Sequence, residues 1–129
     1  MVKVDATKVM DTLRTVVAER PDYVYEAPAE QVETGEGLLS CFYVHGAGAE
    51  AEPGCLVGHV LYRHGVSLVD LAAKEGAGAY NVTTELVELT GEPGTVSDVI
   101  GVLMRVQDAQ DNGQPWARAL EHATRRAGE

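Results

Sequence analysis

The chain is poor in aromatic and large branched residues: its 129 residues include one Phe, one Trp and a single Ile. It therefore builds its core mostly from Val, Leu and Ala. Two cysteines in a chain without an export signal are expected to stay reduced, so a structural disulfide is not the expected source of stability. No run approaches ~18 uncharged apolar residues, so no membrane span is encoded. The start MVKVDATKVM lacks the apolar stretch of a secretory signal, so a cytoplasmic location is expected. From Pro21 to Gly54 there is no Lys or Arg at all.

What is present is acid. Twenty Asp and Glu against ten Lys and Arg give a net charge of -10, with residues 21–54 contributing -7 and residues 70–111 contributing -6. A field of that sign repels phosphate backbones and anionic lipid, so nucleic acid and membrane are disfavoured as partners and a basic protein or a metal ion is favoured. Apolar residues at 45% nevertheless supply a true core, and the length fits a single domain over residues 1–129.

Hydrophobic periodicity organises the chain. Asp5 precedes a stripe at Val9, Met10, Leu13, Val16 and Val17, which has helical spacing, and Pro21 ends it. The period then changes to two. Tyr23–Glu26 and Leu39–Val44 read as strands that pair as an antiparallel ribbon, with an acidic loop between them. Residues 46–52 show no periodicity and read as a flexible linker, after which Pro53 opens a helix through Leu56, Val57, Val60 and Leu61 that Gly65 closes. Ser67 with Asp70 forms a capping pattern for a helix over 68–75. Residues 81–90 read as a short helix, although alternation leaves a strand open. Thr95 with Asp98 caps a helix with the stripe Val96, Val99, Ile100, Leu103 and Val106, and Pro115 opens the last helix. The expectation is an α+β fold, mainly α, with about six short helices and a small two-stranded antiparallel ribbon.

Four residues suggest metal chemistry. Cys41, His45, Cys55 and His59 have the spacing C-x3-H-x9-C-x3-H, and a helix places Cys55 and His59 on one face where they could share a zinc ion. Cys41 and His45 on a strand would lie roughly 13 Å apart, at ~3.3 Å per residue, which opposes a single site. The competing assignment is two buried thiols and two ordinary histidines, with no cofactor. Cys55 in a first helical turn also outlines a nucleophile, against which stand its apolar neighbours and the acidic surroundings.

The segment LVGHVLYRHGVSLVDLAAKEG has helix-turn-helix form, but its second helix offers Leu68, Val69, Asp70, Lys74 and Glu75, with no Arg, Asn or Gln to read bases. A packing corner is the better reading. Trp116 is expected to dock the last helix onto the Val96–Val106 helix; its rival role is an exposed partner-binding anchor.

The blocks CFYVHG, PGCLVGHVLYRHGVSL and VQDAQDNGQPWARAL together resemble small uncharacterised proteins of actinobacteria and actinophages, over roughly residues 38–75 and 102–123. The scarcity of Ile, Lys, Phe and Asn beside abundant Ala, Gly, Val and Glu agrees with a GC-rich genome. The resemblance implies a source and one compact unit, and it carries no catalytic residues over. The function expected is that of a non-enzymatic regulatory or accessory protein acting through protein–protein binding. The alternatives are a zinc-binding or cysteine-dependent small enzyme and a helix-turn-helix-like DNA-binding regulator.

Overall fold

Asp5 decides where the first helix starts. Its Oδ1 accepts from the Thr7 amide at 2.8 Å, satisfying one of the orphan N–H groups of the helix, and Ala6, Val9, Leu13, Val16 and Val17 then bury one face. In a computed structural model that describes residues 1–28 and 42–125, this helix, α1 (Ala6–Glu19), follows strand β1 (Val2–Asp5). A hairpin comes next, made of β2 (Val44–His45), a 3-10 turn at Gly48–Glu50 and β3 (Glu52–Pro53). Then follow α2 (Leu56–Arg63), α3 (Leu68–Ala72), α4 (Ala79–Leu86), β4 (Val87–Thr90), α5 (Pro93–Asp111) and α6 (Trp116–Thr124). The fold is α+β and mainly α, with six helices among the described residues. No described helix is long and apolar enough to cross a membrane.

Two small sheets flank the helices. β1 pairs in parallel with β4, from Val2 opposite Val87 to Asp5 opposite Thr90, and β2 pairs antiparallel with β3. The longest helix, α5, packs against α1, α2, α4 and α6, its most extensive contact being with α6. Leu13, Leu56, Leu61, Leu71, Leu103 and Trp116 are fully buried in one continuous core.

The antiparallel ribbon exists, but its strands differ from those expected. Tyr23–Glu26 forms no strand, because its backbone is used elsewhere. The Tyr23 carbonyl accepts from the Trp116 amide at 2.9 Å and the Pro21 carbonyl from the Ala117 amide at 2.8 Å, so this segment satisfies the first turn of α6. Of the other predicted strand, residues 39–41 lie outside the described residues, while Val44 pairs forward with Pro53. The stretch expected as a linker is thus the turn of a hairpin, where Gly46 and Gly48 adopt φ of 81° and 61°.

Helix starts shift accordingly. Pro53 closes β3 instead of opening α2, and the amides of Gly54 and Cys55 continue the pairing onto the Tyr43 and Phe42 carbonyls at 2.9 and 3.0 Å. Ser67 caps α3 as predicted, accepting from the Asp70 amide at 3.1 Å. The helix stops at Ala72, short of Glu75. Glu75 turns inward, and its carboxylate accepts from the amides of Tyr43 and Val44 at 2.8 and 3.1 Å. Burial raises its pKa, while those two donors oppose the rise. Pro93, rather than Thr95, begins α5, and residues 81–90 divide between the end of α4 and β4. At Gly58 a Cβ would lie 2.5 Å from the Tyr43 carbonyl oxygen, so only glycine lets α2 cross β2 this closely.

Candidate functional site

The residues singled out from the sequence gather around the start of α2. Cys55 is its N-cap, makes no side-chain capping bond and is a fully buried free thiol. The open amides of the first turn are instead reached from α5. Gln110 Oε1 accepts from the Leu56 amide at 2.9 Å and Gln107 Oε1 from the Val57 amide at 3.4 Å. Both glutamines are buried, and Gln110 donates through Nε2 to Asp111 at 2.9 Å. Sequence reading missed this pair, although the unbroken apolar stripe of α5 with two glutamines three apart on it was the available signal.

His45 and His59 lie near one another but face different partners. His45 Nε2 is 2.8 Å from the Tyr25 hydroxyl, which also accepts from the Phe42 amide at 2.9 Å. Gly54 packs under the His45 ring, where a Cβ would meet Cδ2 at 2.4 Å. His59 Nε2 lies 3.1 Å from Arg20 Nη2; a guanidinium only donates, so this ring nitrogen accepts. The Arg20 guanidinium in turn sits 4.4 Å from the Tyr23 ring centre and 5.0 Å from that of Trp116. Trp116 makes edge contacts with Tyr23 at 4.7 Å and His59 at 5.5 Å.

Electrostatics keep these rings neutral. Burial, helped by the charges of Arg20 and Arg63, pulls the pKa of His59 down to about 4, and burial also lowers that of His45. Beside them, Arg63 grips Glu19 with both terminal nitrogens, which holds the Glu19 carboxyl below its usual range. At neutral pH His59 is therefore no proton donor, and its lone pair is already engaged. The cluster ties the exit of α1, the α2 helix and the start of α6 together.

Of the four predicted metal ligands, Cys41 lies outside the described residues. Among the described residues no three His, Cys, Asp or Glu side chains are placed to hold one metal ion. Trp116 is 0% exposed, at the junction between the α6 start and the α1 exit, so its ring is a core element and presents no surface to a partner in this conformation. The α2–α3 corner forms as expected, closed by Gly65 at φ 98° with the Val66 amide bonded back to the Leu61 carbonyl at 3.2 Å. Its second helix has five residues, with Leu71 inward and Val69 79% exposed.

A second surface lies at the β1–β4 sheet. Val87 is buried, Glu88 exposed and Leu89 half-buried, and Lys3 stands opposite Glu88 on the solvent side. No further strand among the described residues pairs with the outer edge of either one, although the Val87 amide is already bonded to the Thr83 carbonyl at the end of α4. At the beginning of the sheet a groove of about 270 Å³ opens between Met1, Val2, Ser67, Asp70, Glu85 and Leu86. Met1 and Val69 beside it are each 79% exposed. From Glu75 to Met104 the chain has five acids and no Lys or Arg, so β4 sits in a uniformly acidic stretch.

No protein-family model matches the chain, and neither a curated protein nor a solved structure is significantly similar to it.

Proposed function

We propose that this chain is a non-enzymatic regulatory or accessory protein that works by binding another protein, in the cytoplasm of an actinobacterium and encoded there or by one of its phages. The observation that carries the reading is that the parallel β1–β4 sheet has only two strands among the described residues, so that no further described strand pairs with either outer edge. Parallel sheets are ordinarily larger, with both faces covered by helices, and any edge strand presents backbone donors and acceptors. An edge of this kind is a template for strand addition by a partner. The inward chemistry supports the same reading: His45, His59, Gln107 and Gln110 are all engaged in bonds that hold the fold.

The experiment is affinity capture from the native host with the tagged full chain, followed by hydrogen exchange on the purified complex. Protection of β1 or β4 amides by the captured protein is the expected result. A complex that leaves both strands exchanging as in the free chain would remove the observation on which the reading stands.

A further inference from the structure

We infer that the outer edge of β4 receives an extended, basic strand of the partner, with apolar residues alternating with Lys or Arg. This rests on the protein-binding reading and specifies its chemistry.

The alternation follows from β4 itself. Val87 and Leu89 point to the core side and Glu88 to solvent, so a strand laid alongside must place apolar side chains next to Val87 and Leu89. Its intervening residue falls beside Glu88 on the wet face. Charge selects that residue. Glu85, Glu88 and Glu92 are all exposed along the strand and its two ends, and Lys74, which reaches Glu85 at 2.5 Å, is the cation paired there. Lys3 already stands on the far side of Glu88, within β1, so an incoming Lys or Arg would complete a row of alternating sign across three strands.

A second copy of the chain is the competing occupant, and charge disfavours it. Each copy carries a net -10, and β4 against β4 would bring two acidic stretches together. The β1 edge is the less selective of the two, since its exposed row mixes Lys3 with Asp5, and Asp5 is committed to capping α1. The groove at the sheet's beginning, with exposed Met1 and Val69, offers the end of such a strand an apolar place to rest.

The probe is an eight-residue peptide of alternating Lys and Val with blocked ends, tested on the full chain beside three controls: alternating Glu and Val, the Lys–Val peptide N-methylated throughout, and a disordered Lys–Gly–Ser peptide of equal charge. Fluorescence anisotropy measures binding, and hydrogen exchange locates it. The expected result is binding by the Lys–Val peptide alone, weakened by salt, with new protection confined to the β4 amides that face away from β1 and are not, as Val87 is, already bonded to Thr83. Glu88→Gln should weaken it by up to about fivefold, the size of one exposed ion pair, and Glu92→Gln by less. Both positions are exposed, so unchanged circular dichroism confirms that the fold is intact.

Equal binding by the N-methylated or the disordered peptide would mean charge attraction without strand pairing, and would overturn the inference. So would absence of binding, protection away from β4, or a dimer of the free chain whose own β4 amides are protected. If the peptide fails while a captured host protein protects β1, this inference falls and the protein-binding reading stands. If the captured protein protects neither strand, both fall.

Discussion

The junction around Trp116 and the edge of β4 use the same kinds of interaction to opposite ends. At the junction, Arg20, Tyr23, His59 and Trp116 pack at 4.4 to 5.5 Å, the rings edge to face, and backbone carbonyls of Pro21 and Tyr23 meet the amides that α6 leaves open. The backbone carbonyls and the His59 ring nitrogen there have partners, whereas the buried Trp116 Nε1 has none among the described residues. Along β4 only β1 among the described strands pairs with the backbone, and its one acid, Glu88, looks outward. Residues whose chemistry looks most suggestive in a sequence are therefore spent on holding the fold, whereas plain Val, Glu, Leu and Thr form the surface left open.

The contrast can be broken at its strongest point first. Replacing Trp116 by Ala removes the largest fully buried side chain and should cost about 3–5 kcal/mol, measured by urea unfolding. Wild-type emission should be blue-shifted and poorly quenched, and a loss well under 1 kcal/mol would deny the junction its role. Next, Gln110→Leu keeps bulk but leaves the buried Leu56 amide without an acceptor, so about 1–3 kcal/mol should be lost.

A pH series sharpens the same side. His59 has its folded pKa near 4, below its ordinary 6.5 in the unfolded chain, so between these values the unfolded state binds more protons. Stability from this group is complete above pH 6.5 and is lost as pH falls toward 4. Burial lowers His45 and His64 too, which adds to the effect in the same direction. His59→Gln should flatten the decline, as followed by thermal unfolding at pH 7, 6 and 5. The smallest effect belongs to the other region: Glu88→Gln should change stability by less than about 0.5 kcal/mol, since its exposed position opposite Lys3 contributes little to the free chain.

Local signals in the sequence were readable where one element decides its own fate. The α1 stripe, the Ser67 cap, the Gly65 stop and the Pro115 entry all appear where the residues indicate. The errors arise where a distant element takes over a backbone group. Tyr23–Glu26 has β-prone side chains, yet the start of α6 draws its carbonyls away. Val2–Asp5 and Val87–Thr90 are four residues each and their paired residues lie 85 apart, so their pairing has no local signature beyond alternation. The histidine and cysteine spacing was legible, but its meaning depended on Arg20, Tyr25 and Gln110, which approach from other parts of the chain.

One measurement bears on both regions together: hydrogen exchange of the full chain, free and bound to the protein it captures from its host. The account predicts that the β4 amides bonded neither to β1 nor, as Val87 is, to the Thr83 carbonyl exchange readily when free and become protected on binding, while those of Trp116 and Ala117 are slow in both states. Protection gained at the Trp116 junction, with β4 unchanged, would contradict it.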